Sequence, residues 1–131
     1  MMRFKSWLTP WVSNIPSKRI RVYASKSESD ARIESLRSFQ LGFIDEFAVP
    51  GKRFNPAAFE AKVNEGDAKF QRAVADEKFT TRRPVLNDLA AQFQADAAYL
   101  RGKAGRGKVT PALASEMKKD IHKIYGHALG A

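Results

Sequence analysis

Gly102-Lys103-Ala104-Gly105-Arg106-Gly107-Lys108 is the segment that comes nearest to a known chemical motif. Its glycine and lysine spacing matches the first seven positions of the phosphate loop G-x-x-x-x-G-K, in which backbone N–H groups cradle phosphate. A phosphate loop follows a strand and carries Ser or Thr after the lysine to hold magnesium. Here a helical pattern precedes it and Val109 takes that place, so the segment reads as a basic hairpin tip. With Arg101, Lys103, Arg106 and Lys108 it concentrates positive charge suited to an acidic protein surface or a phosphate backbone. Nucleic acid is the less favoured target, because single-strand readers need exposed aromatics beside the charges and Tyr99 alone lies near. A second basic cluster, Lys78, Arg82 and Arg83, stands at a helix start where it opposes the dipole, and it reads as a solvated helix end or a partner contact.

The remaining polar groups do not assemble into a catalytic set. His122 and His127 are five residues apart, which does not place them on one helical face as the four-residue spacing of a zinc helix does. Asp45/Glu46 and Asp76/Glu77 are adjacent pairs whose carboxylates diverge, and they read as solvated helix ends. No serine, threonine or lysine has an activating neighbour, so a non-enzymatic protein with no metal site is expected. The chain has no cysteine, which excludes disulfides and thiolate chemistry.

The elements that position these groups are helices. Phe79–Phe93 opens with Thr80 or Thr81 as a cap and Pro84 in the first turn, after which Leu86, Leu89/Ala90, Phe93, Ala97 and Leu100 form one stripe. This helix is expected to stop at Arg101-Gly102. Upstream, Ile33, Leu36, Phe39/Gln40, Phe43 and Phe47 follow a start near Ser27 or Ser29, and Val49-Pro50-Gly51 ends that helix. Asn55-Pro56 opens another, with Phe59, Val63, Gly66, Phe70 and Val74; Gly66, costly inside a helix, marks a close crossing or an inconsequential surface position. Thr110-Pro111 opens the last, with Leu113/Ala114, Met117, Ile121, Ile124 and Ala128. Strand patterns are absent. The prediction is an all-α, antiparallel up-down-up-down four-helix bundle over residues 27–131, with Phe43, Phe47, Phe59, Phe70, Phe93 and Ile121 meeting inside.

Residues 1–26 carry six of the net nine positive charges and no acid, with Pro10 and Pro16 interrupting any long helix. They read as an organelle transit segment, with Arg21-Val22-Tyr23-Ala24-Ser25 similar to plastid and mitochondrial processing sites, or as an extended basic arm that is kept. No apolar run reaches the roughly 18 to 20 residues of a transmembrane segment.

Phe79-Thr80-Thr81 followed by Leu86-Asn87-x-Leu89-Ala90-x-x-Phe93 resembles the Psb-twenty-seven family of photosystem II assembly and repair factors. Ala68-Lys69-Phe70-Gln71-Arg72 and Val109-Thr110-Pro111-Ala112-Leu113, with Met117 and Ile121, extend the likeness over about residues 30–130. The resemblance implies a four-helix bundle and a non-catalytic auxiliary protein of plastid (chloroplast) photosynthesis. It further implies docking on the lumenal face of photosystem II near a core antenna subunit, at the thylakoid membrane, before the manganese cluster is in place. It implies no cofactor, and the protein is expected to be monomeric outside the complex. Lys78, Arg82, Arg83, Arg101, Lys103, Arg106 and Lys108 are the candidate contacts. The competing reading is a permanent accessory subunit of a mitochondrial respiratory or ATP synthase complex, with the basic arm kept. A small RNA-binding bundle of an organelle ribosome is the third.

Overall fold

The computed structural model describes the backbone from Asn14 and side chains from Lys26 to Ala131. Four α-helices make up the described chain, with no strand among the described residues: α1 (Asn14–Phe47), α2 (Pro56–Asp76), α3 (Arg83–Gly105) and α4 (Pro111–Gly130). The all-α bundle expected from the stripes is therefore found. The chain divides between Ala31 and Arg32 into two units, and the bundle core described below belongs to the second, Arg32–Ala131. None of the described helices is long and apolar enough to cross a membrane.

Two helix starts are built as their sequences dictate. Asn55 Oδ1 accepts from the Ala58 N–H at 3.1 Å and Thr110 Oγ1 accepts from the Leu113 N–H at 3.1 Å, each followed by proline in the first turn. Val49-Pro50-Gly51-Lys52 forms the turn after α1: the Lys52 N–H reaches the Val49 carbonyl at 3.2 Å, and Gly51 takes the φ of 74° that a side chain disfavours.

Three boundaries differ from expectation. α1 begins at Asn14 instead of Ser27 or Ser29, so no helix end marks the boundary expected after residue 26; Pro16 lies in its first turn, where a missing donor costs nothing. The rest of the N-terminal segment, residues 1–13, lies outside the described residues. Neither Thr80 nor Thr81 caps α3: the cap residue is Arg82, whose side chain makes no capping bond to the helix start, and the turn is closed by the Arg82 and Arg83 N–H groups on the Phe79 carbonyl. α3 also runs past Gly102 to Gly105. It stops where the Lys108 N–H bonds the Lys103 carbonyl at 2.9 Å and the Gly107 N–H bonds the Ala104 carbonyl at 3.1 Å, with Gly107 at φ 67°. That reciprocal pair is a Schellman stop, which needs the left-handed residue glycine supplies.

The core is aromatic. Phe43, Phe47, Phe59, Phe70, Phe93 and Ile121 are all buried, as their spacing predicts. Ring centroids lie 5.2 Å apart for Phe43–Phe59 and 5.3 Å apart for both Phe43–Phe93 and Phe70–Phe93, so α1, α2 and α3 meet through one connected set of rings. Gly66 is buried in α2, and a Cβ placed there would stand 2.5 Å from Phe93 Cζ and 2.6 Å from Phe39 Cε2. The close crossing read from the sequence is thus present. Across α2 and α3, Arg101 pairs with Glu60 and Gln94 with Asp67, the pattern expected of antiparallel neighbours.

Candidate functional site

The seven basic residues singled out in the sequence fall into three environments. Arg82 leaves the list of surface contacts, because it is 2% exposed. Its guanidinium donates to the Leu129 carbonyl at 2.9 Å and the Ala131 carbonyl at 3.4 Å, so it satisfies acceptors that the end of α4 leaves open. Burying a guanidinium is tolerable only when its donors are met in this way. Arg83 is exposed, with its Nε on the Glu77 carbonyl at 2.8 Å, and Lys78 is exposed beside it.

Arg101 is exposed, but its guanidinium is already paired within the chain. Its Nε and second guanidinium nitrogen hold the Glu60 carboxylate at 2.6 and 3.0 Å, and its guanidinium lies 5.3 Å from the Phe59 ring centroid. The hydrogen bonds from Arg101 hold the Glu60 carboxyl below its ordinary value, and the same bonds raise Arg101. The fork is thereby occupied by a carboxylate of the same chain.

Lys103, Arg106 and Lys108 form the third group. Because Gly102–Gly105 belong to α3, the segment is a helix end rather than a hairpin tip, and its backbone donors are spent on the Schellman bonds. This removes the phosphate-cradle reading. Lys103 lies 5.6 Å from the Tyr99 ring, while Arg106 and Lys108 are exposed. The fold places Lys52 and Arg53 of the α1–α2 turn at the same end, around a pocket of about 370 Å³ shared with Ala104, Gly107 and Val109. Sequence reasoning missed this pair. The only available signal was Lys-Arg directly after a proline-glycine turn.

Buried Gln40 and Tyr125, half-buried Asp96 and exposed Gln92 form a separate network across α1, α3 and α4. Tyr125 Oη donates to Gln40 Oε1 at 2.9 Å, Gln40 Nε2 donates to Asp96 Oδ2 at 3.0 Å, and Gln92 Nε2 donates to Asp96 Oδ1 at 3.0 Å. Burial raises the Asp96 carboxyl, against the opposing bonds from Gln92 and Gln40, with the Asp120 charge adding to the rise. Burial, followed by the charge of Asp96, raises the Tyr125 phenol above its ordinary value. Each group is engaged with its neighbours, so the network ties helices together.

Glu77 also departs from the solvated helix end read in the sequence. It is 1% exposed, pairs with Arg32 at 3.4 Å and accepts the Phe79 N–H at 3.1 Å. His122 and His127 are both exposed, and among the described residues no three His, Asp or Glu side chains converge as metal ligands. No family model matches the chain, and no curated protein or solved structure matches it.

Proposed function

We propose that this bundle is a non-catalytic auxiliary protein that docks by charge on an acidic face of a large membrane complex. The carrying observation is that Lys78 and Arg83 at the start of α3, and Arg53, Arg106 and Lys108 at its far end, are exposed and make no ion pair among the described residues. The two groups are separated by the 23 residues of α3, about 34 Å at 1.5 Å per residue. Two separated basic patches steer and orient a docking protein. The resemblance of Phe79–Phe93 names photosystem II in assembly or repair as the complex, and a plastid lumenal location goes with it. Purification of the native protein with its bound partner tests this: recovery with photosystem II, weakening as salt rises, is the expected result. Recovery that salt leaves unchanged would count against docking by charge.

One observation favours the second reading, a permanent subunit of a mitochondrial respiratory or ATP synthase complex. α1 runs through Arg21-Val22-Tyr23-Ala24-Ser25 without a break, so the segment resembling a processing site continues the first bundle helix. Intact-mass measurement separates the two. A mature start near Ala24 or Ser25 supports import with cleavage, and a retained Met1 supports the permanent subunit.

A further inference from the structure

Tyr99 is the one exposed large hydrophobic side chain among the described residues, at 50% exposure, where every other described ring is buried or half-buried. It lines a cleft of about 310 Å³ between the end of α3 and the start of α4, together with Lys103, Lys108, Leu113 and Glu116. The polar groups of this cleft are unused. The Tyr99 hydroxyl makes no hydrogen bond among the described residues, and neither Lys103 nor Lys108 makes an ion pair there. The Lys103 ammonium lies 5.6 Å from the centre of the Tyr99 ring. Glu116, on the α4 side, is the one carboxylate of the lining and is likewise unpaired. Thr110 also lines the cleft, but its hydroxyl oxygen already accepts from the Leu113 N–H.

We propose that Tyr99 anchors this end of the protein on an acidic surface of a partner protein, its ring covering apolar area while its hydroxyl and the Lys103 and Lys108 ammonium groups donate to partner carboxylates. The proposal rests on the docking reading and names the side chain on which that contact turns. Tyrosine suits the role because its ring is apolar while its tip still hydrogen-bonds, and interfaces concentrate their binding energy in such residues. The charges in the cleft favour acid, since two ammonium groups face one carboxylate. Glu116 opposes the same partner carboxylates, so its removal should tighten the contact. A single-stranded nucleic acid fits less well. It stacks successive bases on aromatic faces, whereas here the Lys103 ammonium stands over a lone ring and no second large ring is exposed among the described residues. An anionic bilayer also fits less well, because interfacial binding inserts an apolar face rather than one ring.

Fluorescence anisotropy of a labelled short peptide of glutamates and leucines, titrated with the full chain, tests the proposal. Binding is expected, with a loss of about tenfold for Tyr99→Ala and a similar loss for Lys108→Glu. Lys119→Glu, an equal charge change at an exposed position elsewhere on α4, should change little. Glu116→Gln should bind about threefold more tightly, whereas Asp88→Asn, which alters net charge equally at the other end of α3, should not. Circular dichroism checks that each variant keeps its fold, as substitutions at exposed positions should. The proposal is overturned if the peptide is not bound, if Tyr99→Ala binds like the parent, or if Glu116→Gln weakens binding. It is equally overturned if single-stranded oligouridine or phosphatidylglycerol vesicles are held more tightly than the peptide. Recovery of the native complex separates the two levels. A Tyr99→Ala variant recovered with its complex as well as the parent sinks the anchor and leaves docking standing, whereas peptide binding with no complex recovered sinks the docking reading alone.

Discussion

Replacing Gly66 by alanine is expected to destabilise the bundle, although alanine is the better helix former by about 1 kcal/mol. The added Cβ would meet Phe93 at 2.5 and 2.7 Å and Phe39 at 2.6 Å. Phe39 is only half-buried and can turn toward solvent, but the Phe93 ring is fully buried between Phe39, Phe43 and Phe70 and has nowhere to go. Overpacking of this kind costs about 1 to 3 kcal/mol, and two contacts on an immobile ring place it at the top of that range. After the helix-propensity gain, a net loss of about 2 kcal/mol remains, which lowers Tm by about 6 to 8 °C for a chain of this size. Gly42→Ala and Gly126→Ala provide the internal comparison. Both glycines lie inside helices with nothing within 4 Å of the added carbon, so each change should stabilise by up to about 1 kcal/mol. Thermal and urea unfolding followed by circular dichroism measure all three. Gly66→Ala matching or exceeding the parent, while the other two show the ordinary gain, would refute the close crossing.

Arg82→Met should cost about 1 to 3 kcal/mol in urea unfolding, because it removes the donor that serves the Leu129 and Ala131 oxygens at the end of α4, while Arg83→Met should change stability by less than about 1 kcal/mol; equal effects would contradict the placement of Arg82. Tyr125→Phe leaves Gln40 Oε1 without its donor and should cost about 1 to 3 kcal/mol. The raised Tyr125 phenol keeps its proton where the unfolded chain releases one, so stability should fall as pH rises from the ordinary phenol range near 10. A phenolate absorbance titration in which all three tyrosines ionise together in the ordinary range would contradict this. Asp96 works in the same direction at lower pH: its raised carboxyl contributes stability that is full below the ordinary carboxylate value and is lost as pH climbs through the raised one. Asp96→Asn should flatten that slope.

The helices were legible because each carries its own local evidence. The α3 stripe of Leu86, Leu89, Ala90, Phe93, Ala97 and Leu100 is buried residue for residue, and Asn55-Pro56 and Thr110-Pro111 announce their caps within four positions. What escaped depends on partners far away in the chain. Tyr125 looks like a position beside the Ile124 stripe until Gln40, 85 residues earlier, turns out to receive its hydroxyl. Arg82 looks solvated until the end of α4 arrives 47 residues later. Thr80 and Thr81 are good caps by type, but the Phe79 turn starts α3 without them. The candidate contacts divided for the same reason. Arg101 has a carboxylate 41 residues away, and charge runs alone do not reveal which cations are already spent.

Gly66 also bears on how α2 can slide along α3. One helical turn in either direction would bring Lys62 or Phe70 to the gap that the glycine now fills. Neither fits against the Phe93 ring, where even a methyl group comes within 2.5 Å. The missing side chain therefore fixes the register of the pair, and it does so by excluding every neighbouring alignment rather than by attracting the correct one.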